Sequence, residues 1–131
     1  MPRLASQGSA FENFMHLKLP KNGEKIFWTR HSKMKMRQYR FSEKRVLRIL
    51  RKPDREEEGI AEGTIAAMQI TGTKKHPTEA WVMYIILKKP KGIKIISAWR
   101  YPGRTPVGAR PIIPEDVLNE LANILKNAKI N

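Results

Sequence analysis

The 131-residue chain carries 26 Lys and Arg against 12 Asp and Glu, a formal charge of +14, and contains no cysteine. That length builds one domain around one core, and the missing cysteines exclude disulfides, thiolate zinc sites and thiol catalysis. No run approaches the roughly 18 apolar residues of a membrane helix, and no membrane partner is expected; the excess positive charge is expected to meet a polyanion, with nucleic acid ranked ahead of an anionic membrane surface.

Residues 1–24 are uneven, hold Gly8, Pro20 and Gly23, and read as an N-terminal tail. They lack the apolar core of a secretory signal, so a cytoplasmic protein is expected. Residues 25–131 read as a single α+β domain. Ile26, Phe27 and Trp28 form a short strand or an apolar lead-in. Thr29 is placed to cap a helix over 30–39. Ser42 caps a second, with Glu43 in its first turn and Val46, Leu47, Ile49 and Leu50 at helical spacing; Pro53 ends it.

Residues 53–63, PDREEEGIAEG, read as a polar loop. Three strands are then expected, over 64–71, 80–87 and 93–99. The middle one, AWVMYIIL, is a continuous apolar run of the kind buried on both faces. Lys89-Pro90-Lys91-Gly92 reads as a four-residue turn. Short connections imply an antiparallel meander. Residues 100–113 read as a Pro- and Gly-rich loop. Pro114 opens a last helix with Glu115 and Asp116 in its first turn and Val117, Leu118, Leu121, Ala122 and Leu125 as its stripe. The expected architecture is two N-terminal helices packed on a curved antiparallel sheet of three to four strands, plus a C-terminal helix, with the helices on one face.

Three groups of residues carry chemistry. Helical spacing puts His31, Lys35 and Tyr39 on one stripe, with Met34 and Met36 able to point inward beside them. A histidine can exchange protons near neutrality, a lysine can bind phosphate, and a tyrosine can donate or stack. A solvated helix face with a chance histidine explains the same stripe equally well. The second group, Trp99, Arg100, Tyr101 and Arg104, falls at the exit of the last strand, where Arg offers a planar fork for phosphate and the aromatic residues a stacking face. Its plainer reading closes the edge of the core with Trp99 and Tyr101. The third is a basic run. From Arg30 to Arg55 there are eleven Lys or Arg, with only Glu43 and Asp54 opposing them. Lys33, Arg37, Arg40, Lys44, Arg45 and Arg48 are its candidate nucleic-acid contacts, with Arg51 and Arg55 on the same outer helix face. Neither a phosphate-binding Gly-Lys-Ser/Thr loop nor a dinucleotide Gly-rich turn is present, Glu56 to Glu58 read as solvated, and His16 and His76 have no evident partner, so no cofactor or metal is expected.

Four of these features, in order, resemble the domain-of-unknown-function 4258 family: Thr29-Arg30-His31, Lys35-Met36, Phe41-Ser42 followed by Val46, and Ser97-Ala98-Trp99-Arg100. The resemblance covers a little over half of the chain. That family is similar in fold to the toxin superfamily typified by RelE and barnase, many of whose members are metal-independent ribonucleases. Members carry an Arg two helical turns after the His, where this chain has Tyr39 with Arg40 beside it.

The resemblance implies an RNA-directed protein that cleaves through 2′-hydroxyl attack. His31 would be base or acid, Lys35 and Arg100 would stabilise the phosphorane, and Tyr39 or Tyr101 would be the second proton carrier. The alternatives are a non-catalytic nucleic-acid-binding module and a toxin-like protein whose basic face meets an acidic antitoxin or another acidic protein. Common to the first two is the expectation that the helical hairpin and the exit of the last strand present their cations on one concave face.

Overall fold

The computed structural model describes residues 25–58, 63–89, 91–108 and 111–130. Along the chain these form β1 (Ile26–Trp28), α1 (Arg30–Tyr39), α2 (Glu43–Arg51), β2 (Arg55–Glu58), β3 (Thr64–Gly72), β4 (Pro77–Lys88), β5 (Lys91–Pro102) and α3 (Glu115–Ile130). The expected tail, His16 included, and the Leu125 side chain lie outside the described residues.

The α+β class stands, but the expected three- to four-stranded antiparallel sheet does not. Five strands form one mixed sheet in the order β1-β5-β4-β3-β2. Strands β2 to β5 pair antiparallel, and β1 adds to the free edge of β5 in parallel, Ile26 beside Ile93 and Trp28 beside Ile95. The segment expected to be a polar loop supplies β2: Arg55 pairs with Met68 and Glu58 with Ile65. Alternation explains how so polar a sequence enters a sheet. Arg55 and Glu57 face one side and bond each other, Nε to Oε2 at 2.8 Å, while Glu56 and Glu58 face the other.

The strands also outrun their expected ends. Arg100 and Tyr101 belong to β5, opposite Ala80 and Glu79, and are not loop residues. Of the expected turn, Lys89 stands in a turn, while Lys91 and Gly92 already lie in β5, Lys91 opposite Lys88; Pro90 lies outside the described residues. Gly92 is needed for close approach instead. A Cβ there would meet the Lys25 carbonyl and the Phe27 ring, each at 2.8 Å, where β1 packs against β5.

The helices divide between two faces, contrary to the one-face expectation. On the first face Met36, Phe41, Val46, Ile49 and Leu50 from α1, α2 and their junction pack on Ile65, Val82, Tyr84 and Ile93. On the second, Val117 and Leu121 of α3 cover Met68, Trp81, Met83, Ile96 and Trp99. The central strand β4 thus feeds both cores, as its unbroken apolar run requires. Trp81 and Trp99, register partners, stack at 6.1 Å with rings 5° apart. Burying a Trp removes on the order of 200 Å² from water, about 5 kcal/mol of gross stabilisation. Two expected inward residues face solvent, Met34 and Ala122, and the α3 stripe is Val117, Leu121 and Ile124.

One irregularity decides where functional side chains point. Met83 pairs with Ser97 and Tyr84 with Ile95, leaving Ile96 as an extra residue in β5. Beyond it the alternation is inverted. Ser97 and Trp99 fall on the second face, with Met83 and Trp81, and Arg100 falls on the first, with Ala80.

Candidate nucleic-acid interface

The two N-terminal helices begin at local caps. The Thr29 hydroxyl accepts the Ser32 N–H at 3.0 Å and donates to the Ile95 carbonyl at 2.8 Å, seating the start of α1 on β5 at the bulge. The Ser42 hydroxyl accepts the Arg45 N–H at 3.0 Å and starts α2. Between them Arg40 sits in the left-handed region at φ 61°, ψ 46°, the position glycine ordinarily takes after a helix. Its conformation lets the Phe41 N–H reach back to the Met36 carbonyl at 2.8 Å and drives the Phe41 ring into the core. A side chain in this region costs roughly 1–2 kcal/mol.

Around this corner cations gather that form no ion pair among the described residues. Arg100 reaches from β5 across the first face, its guanidinium 4.7 Å from the Phe41 ring centroid, and donates from Nη2 to the Tyr39 carbonyl at 3.3 Å. Arg45, in the first turn of α2, is partly buried, and its Nε has no hydrogen-bond partner among the described residues. Its guanidinium is held below the ordinary arginine range first by burial, then by the positive charges of Arg100 and Arg48. Arg45 is thus within electrostatic reach of both other guanidiniums. Among the described residues the ion pairs are Lys35–Asp116, Arg55–Glu57 and Arg55–Glu79, and none involves this trio. Lys33, Arg37, Arg40, Lys44 and Arg51 stand exposed on the same two helices.

The His31 stripe forms a separate group. His31 is half-buried and its Nε2 lies 3.0 Å from the Ser97 hydroxyl, which is itself fully buried. Lys35 is 4% exposed. Its ammonium pairs with Asp116 at 2.7 Å, donates to Gln38 Oε1 at 3.1 Å and lies 5.1 Å from the Tyr39 ring centroid. Asp116 is held below the usual carboxylate range by the Lys35 hydrogen bond; burial opposes this, and the charges of Lys35 and His31 add to it. Lys35 is therefore engaged in tying α1 to the start of α3.

The structure brings His31, Lys35 and Tyr39 together and brings Arg100, Arg45, Arg48 and Phe41 together, as two groups. Tyr39 touches both, its ring under Lys35 and its carbonyl under Arg100. Arg100 stands on the face of the sheet opposite Ser97, three residues along β5, so the residues of the expected single concave face, His31, Lys35 and Arg100, fall into two groups that meet at Tyr39. Trp99 is 1% exposed, inside the second core, and offers no stacking face. Tyr101 packs against the same core. Arg104 is exposed and donates to the carbonyls of Thr78 and, at 3.3 Å, Thr71. Arg55, expected on the outer face of α2, is buried in β2.

Sequence reasoning missed Phe41 as the platform for Arg100, Ser97 as the partner of His31 and Asp116 as the partner of Lys35. Asp116 had been read for the helix dipole alone, and nothing in local sequence marks the other two. Among the described residues no cluster of His, Asp and Glu could hold a metal ion, and no helix is long and apolar enough to cross a membrane. No family model, curated protein or solved structure matches the chain.

Proposed function

We propose that this protein binds RNA through the cationic surface of α1 and α2, with Arg45, Arg48 and Arg100 at its centre and Lys33, Arg37, Arg40 and Lys44 around them. The observation that carries this reading is that Arg45 lies within electrostatic reach of Arg48 and Arg100 while none of the three forms an ion pair among the described residues. Like charges packed this way oppose folding, and a phosphodiester between them removes the penalty while releasing the counterions of the nucleic acid. Arginine suits the task because its planar fork reads a phosphate in two bonds.

Anisotropy titration of a labelled single-stranded RNA over a salt series tests this. Affinity falls steeply with salt, the logarithmic slope being about −0.7 per phosphate contacted. Arg45→Ala and Arg100→Ala each flatten the slope by roughly one contact, whereas Lys88→Ala, outside the surface, leaves it unchanged. Affinity indifferent to salt defeats the reading. Equal affinity for DNA of the same sequence keeps the surface but removes the preference for RNA.

A second reading, metal-independent RNA cleavage, is favoured by the half-exposed imidazole of His31, hydrogen-bonded to Ser97 with Asp116 in electrostatic reach. It agrees with the toxin-like resemblance of the sequence. Here the 2′-hydroxyl attacks its own phosphate and His31 carries the proton. RNA breakdown in excess chelator that is abolished by His31→Ala supports it. No breakdown, or equal breakdown by the variant, returns the protein to a binder.

A further inference from the structure

The register carries a row of side chains past the end of α2. Gln69, Ala80 and Arg100 are partners across β3, β4 and β5, on the first face. Gln69 Nε2 donates to the Lys52 carbonyl at 3.1 Å, which sets the last turn of α2 over this row. Further along the strands, Thr71, Thr78 and Pro102 stand on the same face. The two threonine hydroxyls bond each other, and both residues are partly exposed. Beyond them the β3–β4 hairpin closes over 73–76. Its tip is fixed. The Thr73 N–H donates to the His76 carbonyl at 3.1 Å, and the His76 N–H donates to the Thr73 hydroxyl at 3.0 Å. Gly72, at φ 80°, has no room for a Cβ, which would meet the His76 carbonyl.

The hairpin tip is cationic. Lys74, Lys75 and His76 are exposed, and both lysines are without an ion pair among the described residues. Arg104 adds charge at the base of the hairpin, its guanidinium bonded to the carbonyls of Thr71 and Thr78. Carboxylates of this end of the sheet are engaged elsewhere: Glu79 accepts from the Trp81 indole at 3.0 Å, and Asp54 accepts from the Ile70 N–H at 2.7 Å. At the rise of a strand, Gly72 and Pro77 lie about 10 Å past the Gln69 row. That gap is on the order of two or three phosphates of one nucleic-acid strand. The two cationic groups differ in height. Arg45 and Arg48 stand on the helix layer, whereas the hairpin continues the plane of the sheet. A stiff duplex does not step down one layer over so few nucleotides; a single strand does. Given the RNA-binding reading above, we propose that the bound RNA is a single strand that runs from Arg45, Arg48 and Arg100 across Thr71 and Thr78 to Lys74 and Lys75.

Anisotropy titrations of the full-length protein over a salt series test this with labelled RNA single strands of about 4 and about 12 nucleotides, within the range such sites take. The longer strand, which alone reaches the hairpin, is expected to show the steeper slope. Lys74→Ala combined with Lys75→Ala lowers the magnitude of that slope by about 1.4, two contacts at about 0.7 each, and leaves the shorter strand unchanged. Lys74→Arg with Lys75→Arg keeps the slope. Lys88→Ala with Lys89→Ala removes the same charge at the β4–β5 hairpin and has no effect. If loss of Lys74 and Lys75 leaves the longer strand unaffected while Arg45→Ala still flattens its slope, the path is overturned and the helical surface stands. An equal loss with the shorter strand, or from the Lys88 and Lys89 change, also overturns it, the cause then being net charge alone. A duplex of the longer strand that loses as much slope overturns the assignment to a single strand. Affinity indifferent to salt in the parent removes the RNA-binding reading, and the path with it.

Discussion

Lys35 and Asp116 meet at 2.7 Å, one almost completely buried and the other half-exposed at the first turn of α3. Through this contact the first helix and the last hold each other across the edge of the sheet. The pairing is asymmetric. Without Asp116 the ammonium stays in a site built to exclude water, whereas without Lys35 the carboxylate simply hydrates.

Asp116→Asn is therefore expected to lower stability near neutrality by about 1–2 kcal/mol, less than for a fully buried pair because water reaches the carboxylate side. A carboxyl held low in the folded state adds stability that is present above its unfolded pKa and is lost as pH falls through the folded value. Urea midpoints of the parent should drop on acidification below about pH 4, and the gap to Asp116→Asn should close there. A gap constant from neutral to acid pH would show that the ion pair is not its source.

Arg40→Gly is expected to raise stability by about 0.5–1 kcal/mol, because glycine takes the left-handed conformation without the Cβ penalty. A higher urea midpoint with weaker RNA binding would show that an arginine is kept at this corner against its own backbone preference. A lower midpoint would mean that the side chain stabilises the corner by more than the strain costs.

The two stacked tryptophans differ in their polar ends. The indole N–H of Trp81 bonds Glu79, whereas that of Trp99 is buried without a partner among the described residues. Trp81→Phe should then cost about 1 kcal/mol more than Trp99→Phe in thermal or urea unfolding, the worth of one hydrogen bond to a charged acceptor. Equal costs would indicate that ring volume alone matters.

What could be read in the sequence was local. Thr29 and Ser42 mark their helices because a cap acts within three residues, and the apolar run around Trp81 and Tyr84 marks a strand whatever it pairs with. Strand β2 was not legible. Three consecutive glutamates favour solvent until a neighbouring strand and a buried arginine accept them, and Glu79, the second carboxylate on Arg55, stands 24 positions from it (79 less 55). The parallel placement of β1 likewise depends on Ile93 and Ile95, far along the chain. At the candidate site helical spacing puts Lys35 against the Tyr39 ring. It could not say that Arg100 would join Arg45 instead, since that follows from one extra residue in β5, which no pattern of hydrophobicity announces.

Because Ile96 is the residue of β5 left without a partner on β4, the length of β5 beyond it is a constraint on the chain. Removing Ile96 itself would leave Trp99 opposite Trp81 and Arg100 opposite Ala80, each on its present side. Removing a residue that does pair, such as Ala98, while the ladder before it holds, would slide Trp99 opposite Val82 and Arg100 opposite Trp81, driving the guanidinium among the indoles with no substitution at either position. Homologues should accordingly vary in residue identity along this strand more readily than in the number of residues between Ser97 and Pro102.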